Sequence, residues 1–308
     1  MRVFVTGGTG AIGGHAVPAL VTAGHEVTAL ARSDTKASVL ASQGAAPVQV
    51  SLFDRDGLTK AFIGHDAVVN MASALPSPQR FILESAWTEC QRIRTEGSAT
   101  VVDAALAAAV PRLVQESMAM IYHDGKDHWI DEDWTVDHYP IASGNHAAES
   151  SARRFAETGG DAVILRFGLF YGRGAAHSAQ IMAMARRHIA FQAGRADTYM
   201  SSIHLADAAS AVVVALQCSA GTYNIVDDDP VTKKQNARAM AEAVGAKTWM
   251  TGPGRLMLLL GDRTTSMTRS LRVSNGRFRA ATGWRPRYPS VREGYRAMAA
   301  SAKSQLRG

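Results

Sequence analysis

The sequence predicts a doubly wound α/β fold, a parallel sheet carrying a smaller C-terminal substrate-binding lobe. Three observations predict it. A short apolar strand enters a glycine-rich turn and then a helix before Gly24. Strand-like and helix-like segments keep alternating as far as Arg166. The chain has 308 residues, 46% hydrophobic and 19% charged, which is enough for one large core and a lobe.

Val3-Phe4-Val5 reads as a buried strand. Thr6-Gly7-Gly8-Thr9-Gly10-Ala11-Ile12-Gly13-Gly14 follows, then a helix from His15 to Ala23 and a second strand from His25 to Leu30. Each glycine has a physical role. Gly7 permits the tight turn, Gly10 lets backbone approach a pyrophosphate, and Gly13 lets helix and strand pack closely. The helix N-terminus offers free N–H groups and a positive dipole end to that pyrophosphate. This strand, turn and helix make a Rossmann-type dinucleotide site, with Thr9, Ala11 and Ile12 in its turn.

The end of the second strand selects the cofactor. A carboxylate there would bond the ribose 2'-hydroxyl of NAD; Ala31-Arg32-Ser33 stands there instead, with Lys36 close behind. Arg32 can clamp a 2'-phosphate and Ser33 can donate to it, so NADP(H) is the expected cofactor. Asp34 keeps one alternative open, because a slipped alignment would bring it to the ribose.

The later elements are read in turn. Val48–Val50 is a strand, Arg55–Ile63 a helix and Ala67–Asn70 a strand. Gly97–Ala109 is a helix stopped before Pro111, Arg112–Glu116 a strand, His146–Glu157 a helix and Ala162–Arg166 a strand. Residues 1–165 form the expected NADP-binding domain, to which 200–226 return. Residues 166–199 and 227–308 form the substrate lobe, with Leu256–Leu260 as an apolar lid helix.

Composition narrows the partners. The net charge of +6 is dispersed, with no basic arm suited to nucleic acid. Cys90 and Cys218 lack the spacing of a metal site, and two cysteines fit reduced cytosol. No membrane span or signal peptide is expected, since the longest apolar run near the lid is short and the N-terminus leads directly into a strand. A small-molecule substrate and a monomer or homodimer are expected.

Further segments carry a resemblance. They are Gly64-His65-Asp66-Ala67-Val68-Val69-Asn70-Met71-Ala72, Leu165-Arg166-Phe167-Gly168-Leu169-Phe170-Tyr171-Gly172 and Ser202-Ile203-His204-Leu205-Ala206-Asp207-Ala208-Ala209. With Gly221–Ile225 and Gly283–Pro286, they make the chain resemble the extended short-chain dehydrogenase/reductase family, in its epimerase/dehydratase-like branch. The resemblance implies Ser51 and Leu52 beside the adenine and Met71, Ala72 and Ser73 beside the nicotinamide ribose. It implies Phe167, Gly168 and Leu169 along the nicotinamide. His204 and Asp207 read as structural ties.

That family works with a Ser, a Tyr and a Lys, supported by an Asn. By position this chain has Met118 for the Ser (beside Ser117), Ile141 for the Tyr, Asn145 for the Lys and Arg94 for the Asn. Ile and Met cannot donate a proton. Tyr122 and Lys126 have the letter spacing, but Asp124-Gly125 between them signals a turn.

The pattern is similar to an atypical branch that includes ketoreductases tailoring aromatic polyketides of the angucyclinone type. It implies an NADPH-dependent ketoreductase whose proton comes from water, Ser117, His123, His146 or the substrate, with Asn145 bonding the ribose in place of the Lys. A pocket of Met118, Met120, Phe170, Met182, Met184, Phe191 and Tyr199 would suit a large aromatic ketone. Two alternatives stay open: a non-catalytic NADP(H) sensor, and a nucleotide-sugar epimerase or dehydratase, which would need the missing proton shuttle.

Overall fold

The computed structural model describes residues 1–247 and 250–305, so residues 248–249 and 306–308 of the expected lobe lie outside the described residues. Its helices begin with α1 (Gly13–Thr22), α2 (Asp34–Ser42), α3 (Arg55–Phe62), α4 (Thr88–Arg92), α5 (Ser98–Ala107) and α6 (Ser143–Glu157). Its central strands are β1 (Arg2–Thr6), β2 (Glu26–Leu30), β3 (Ala46–Val48), β4 (Ala67–Asn70) and β5 (Arg112–Met118), followed by Asp161–Phe167 and Gly221–Ile225.

These seven strands form one parallel sheet in the order Gly221–Ile225, Asp161–Phe167, β5, β4, β1, β2, β3. The winding reverses between β1 and β4, where such a sheet opens a crevice beyond its strand ends. Val3, Phe4 and Val5 and all of β4 are buried, because helices cover both faces. On one face α1 packs on the helix Leu205–Ala215. On the other, α3, α5 and α6 pack in a row around Phe4, Phe62, Val101 and Phe155.

Several boundaries differ from the sequence reading. The third strand is Ala46–Val48 rather than Val48–Val50. Pro47 is tolerated there because β3 is an edge strand. Gly97 does not start a helix. It ends a π turn, Ile93–Gly97, that joins α4 to α5. A Cβ at Gly97 would lie 2.7 Å from Leu52 Cδ2, so packing rather than helix initiation explains the glycine. Helix α6 begins at Ser143, three residues before the expected His146, after a 3₁₀ turn at Pro140–Ala142. Gln91 holds that entry by donating to the carbonyls of Pro140 and Ile141 and accepting from Ser143 Oγ.

Tyr171, Met182, Val231, Met240 and Tyr295, all in segments expected to form the lobe, share a separate core. His204 Nδ1 accepts from Ala206 N at the start of its helix, and the Asp207 carboxylate accepts from Arg287 N and Tyr288 N. Both residues therefore tie loops to the core. Leu256–Leu260 belong to a 3₁₀ segment, Arg255–Thr264, rather than an α-helix, and Leu256 and Leu259 are 70% and 81% exposed. Arg263 reaches Glu84 at 3.5 Å, which places this segment beside the Glu84–Trp87 turn. Among the described residues no helix is long and apolar enough to cross a membrane.

One buried carboxylate fastens α6 to the sheet. Glu149 accepts from Ser117 Oγ at 2.8 Å, Arg166 Nε and Nη2 at 2.7 Å each, and Arg153 Nη2 at 2.6 Å. Burial alone would raise this carboxyl, but the donors outweigh it and hold Glu149 below the usual range. We predict that Glu149→Ala costs about 3–5 kcal/mol in urea unfolding at neutral pH, since it leaves the Arg166 charge buried and unpaired. The folded pKa is depressed, so this stability is present above the unfolded value and lost as pH falls through the folded one. The gap between wild type and variant therefore closes in acid.

Candidate active site

The glycine turn has the geometry its letters imply. Gly7 has φ +70°, and a Cβ there would lie 2.3 Å from the Met71 carbonyl oxygen. A Cβ on Gly13 would lie 2.2 Å from Gly7 O, so only glycine lets α1 start this close to β1. Gly10 N donates to Gly7 O and Gly14 N to Gly10 O, both at 2.9 Å. A cleft of about 470 Å³ opens here, lined by Thr9, Gly10, Ala11, Gly14, His15 and Arg173 among others. Ile12 is buried and packs in the core beneath it.

His15 Nε2 bonds the carbonyl oxygen of Arg173 at 2.8 Å and pins the loop after Tyr171 across the start of α1. Arg173 lines the cleft beside a helix N-terminus that has no acidic residue in its first turn. Backbone N–H groups, a dipole end and an arginine lining an open cleft fit a dinucleotide pyrophosphate. Sequence reasoning missed Arg173. Its one signal was an arginine directly following the Tyr171-Gly172 landmark.

At the end of β2, Arg32, Ser33 and Lys36 are all exposed around the start of α2. Ser33 caps α2 by accepting from Lys36 N, which leaves its hydroxyl proton free to donate. Asp34 Oδ1 accepts from Gln49 Nε2 at 2.7 Å and is engaged there. Ser51 is exposed and accepts from Phe53 N, while Leu52 is half-buried. Ala72 and Ser73 are half-buried at the end of β4, with Ala72 N donating to Asn70 Oδ1 at 3.4 Å.

The tetrad positions carry a different constellation. Ile141 is buried with Trp87, Cys90, Ile121 and Tyr139. Asn145 is 1% exposed and accepts from Arg94 Nη1 at 2.6 Å. Arg94 Nη2 also grips Glu116, at 2.8 Å from Oε1 and 2.7 Å from Oε2. Met118 is buried with Met71, Phe167 and Phe170.

Tyr139 and Tyr122 are both engaged elsewhere. Tyr139, two residues before Ile141, donates to the Met120 carbonyl, and burial holds its phenol above the usual range. Burial likewise pushes Tyr122 up to about 12, although Arg166 opposes the shift. Tyr122 donates to Asn224 and accepts from Arg166, and Lys126 lies in a loop with φ +49° rather than on a helix.

The family profile for NAD dependent epimerases and dehydratases matches residues 3–226. The chain belongs to the NAD-dependent epimerase/dehydratase family. It is 31% identical to a 3-diazoavenalumate denitrifying reductase from a Streptomyces species, over 96% of this chain and 99% of that one. It is 28% identical to a 4-hydroxy-2-methyl-3-oxo-4-farnesyl-3,4-dihydroquinoline-1-oxide ketoreductase of Stigmatella aurantiaca, over 80% of this chain and 74% of that one. In fold it is similar to the human epimerase family protein SDR39U1 solved with NADPH, with TM-score 0.82 and 23% identity over 97% and 99% of the two chains. Family and relatives together support an oxidoreductase using a nicotinamide cofactor.

Within this epimerase/dehydratase-family chain, several expected site residues have engagements of their own. Ser117 is fully buried and its hydroxyl is committed to Glu149, so it cannot deliver a proton to a substrate. His146 Nε2 is bonded to the Asp137 carbonyl, and its ring stacks on His138 at 4.0 Å, turned away from Asn145's network. His123 is exposed and 3.8 Å from Asp137. The Phe167 ring is fully buried against Phe170, so only its backbone can meet a ligand. Gly168 packs on the Ser201 backbone and Leu169 is 43% exposed. Of the expected apolar pocket, Met118, Phe170 and Met182 are core residues, whereas Met120, Met184, Phe191 and Tyr199 keep partial exposure. Among the described residues no His, Cys, Asp and Glu cluster could hold a metal.

The two cationic contacts make separable predictions. Arg32→Ala should weaken NADPH binding much more than NADH binding, because only NADPH carries the 2'-phosphate. Arg173→Ala should weaken both by a similar factor, roughly tenfold for one charge-assisted contact. Fluorescence titration with each nucleotide checks both; equal losses for Arg32→Ala would remove the 2'-phosphate assignment.

Proposed function

We propose that this protein is an NADPH-dependent reductase of a large, electron-poor aromatic substrate that needs no proton from the protein. The observation that carries this reading is the protein chemistry at the tetrad. Arg94, Met118, Ile141 and Asn145 occupy it, the neighbouring Ser117 is sealed against Glu149, and neither nearby tyrosine has a phenol poised for proton transfer. NADPH, when bound, would supply hydride. Thr9, Gly10, Ala11 and Arg173 would hold its pyrophosphate, and Arg32, Ser33 and Lys36 its 2'-phosphate. The chain's part is then orientation and exclusion of water rather than acid catalysis.

Two acceptors meet that condition. An aromatic ketone beside a phenol carries its own proton, and a ketoreductase among the relatives supports this choice. An aryl diazo group, once protonated to a diazonium, needs only hydride as dinitrogen leaves. The 31% identical denitrifying reductase, aligned along nearly its whole length, supports that second choice. The sensor and the nucleotide-sugar readings have less support. The half-buried apolar residues Met120, Met184, Phe191 and Tyr199 suit a flat apolar ligand better than a sugar.

The test uses NADPH deuterated at its reactive C4 position, with hydroxyaryl ketones, hydroxyarene diazonium salts and sugar nucleotides. We expect deuterium on a carbinol carbon or on the ring carbon vacated by dinitrogen. Transfer only to a sugar nucleotide, or to nothing despite tight NADPH binding, would overturn the reading. A pH profile adds a second check. Between roughly pH 6 and 9 any limb in the transfer rate should move with the pKa of the substrate phenol; a limb fixed across substrates would indicate a protein acid.

A further inference from the structure

Lys233 opens the helix Lys233–Val244 and is only 6% exposed. Lysine is rarely buried unless it is paired. Its ammonium donates to one acceptor, the Arg269 carbonyl at 3.2 Å, and among the described residues no carboxylate forms an ion pair with it. The helix start adds to the positive field, because its first turn holds no acidic residue. Asp124 offsets part of that field, but its two oxygens accept from Lys126 N and Ser270 N. Burial lowers the lysine pKa to about 8 against that offset, so the group is still an ammonium at neutral pH.

The neighbours of this cation lead to the tetrad. Arg269, whose carbonyl holds Nζ, donates to the Tyr122 carbonyl at 2.7 Å and lies over the Tyr139 ring at 4.8 Å. Tyr139 stands two residues before Ile141 and donates to the carbonyl of Met120, a half-buried residue of the expected apolar pocket. Tyr199, another of those residues, pairs with Thr232, directly before Lys233. The cation therefore adjoins both that pocket and the arginine packed on Tyr139.

We propose that Lys233 is a specificity-determining residue whose ammonium pairs with a carboxylate on the substrate, at the end remote from the reacting carbon. The inference deepens the aromatic-reductase reading, on which it rests, by adding the charge of the substrate. A carboxylate suits the site better than a phosphate chain. The helix start has no N–H to spare, since Thr232 and Gln235 cap each other and Lys233 N and Lys234 N donate to the Thr198 and Ala196 carbonyls. The Arg269 guanidinium is paired with Asp137. One ammonium is left, which matches a monoanion. The proposal also accounts for a charge where packing alone favours an apolar residue, because a buried ion without a counter-ion is costly.

The experiment uses the full-length protein and matched probe pairs. One pair is a hydroxyaryl ketone with a remote carboxylate and its methyl ester; the other is a hydroxyarene diazonium salt with the same two groups. Binding is titrated with NADP⁺ present, so that no turnover occurs, and melting temperatures are recorded. Wild type should bind each acid about tenfold more tightly than its ester, as expected for one charge-assisted contact. Lys233→Arg should keep that preference and Lys233→Met should abolish it, whereas a merely structural lysine would not separate acid from ester. Without ligand, Lys233→Met should melt no lower than wild type, because it removes an unpaired buried charge. Equal binding of acid and ester by wild type would overturn the proposal, and so would a Lys233→Met variant that keeps the preference. Loss of UDP binding rather than acid binding in Lys233→Met would do the same. Hydride transfer from NADPH to neither member of either pair, with the acid preference intact, would sink the reductase reading and leave the anion site standing.

Discussion

The rest of the site depends on two buried carboxylates, Glu116 and Glu149, placed where β5 meets α6. Each is almost inaccessible and each is satisfied by a guanidinium, Arg94 for the first and Arg166 for the second. A buried carboxylate without such a partner would cost several kcal/mol, so each arginine is held in place by its carboxylate. Together the pairs fix the height and rotation of α6 against the sheet. That rotation sets where Asn145, on α6, points.

A chain of amides extends the first pair across the strand ends. Gln115 Nε2 donates to the Glu116 carbonyl, Asn70 Nδ2 to Gln115 Oε1, and Thr6 Oγ1 to Asn70 Oδ1. Thr6 directly precedes the glycine turn. The carbonyl ends of β1, β4 and β5 are therefore stitched by side chains as well as by the ladder, and the phosphate turn is rigidly related to the tetrad positions. The proposed reaction, in which the protein supplies no acid group, needs this kind of rigidity, since orientation is what remains for the protein to supply.

What was legible in the sequence follows the range of the interaction that encodes it. The glycine turn could be read because its constraints act within a few residues: Gly7 needs a positive φ and Gly13 must clear Gly7 O. The parallel sheet could be read because buried strands make short apolar runs between helices. Ser117 misled because a serine beside the Met118 position looks available, and only the approach of Glu149, 32 residues later, shows that it is not. Gly97 misled in a similar way. Its partner is Leu52, in a different segment, so a packing glycine resembled a helix boundary. The Arg94 bridge spans 22 residues to Glu116 and 51 to Asn145, and no local pattern announces a contact of that range.

The same network bears on whether this is a decayed enzyme. Loss of a Tyr and a Lys by drift would be expected to leave a cavity or stranded polar groups at their positions. Instead Ile141 is packed among Trp87, Cys90, Ile121 and Tyr139, and Arg94, Glu116 and the oxygen of Asn145 are mutually satisfied. Gly144 is small where Arg94 needs space. Replacements that are packed or mutually satisfied in this way, beside a glycine turn whose geometry suits a dinucleotide, argue against a site lost by drift.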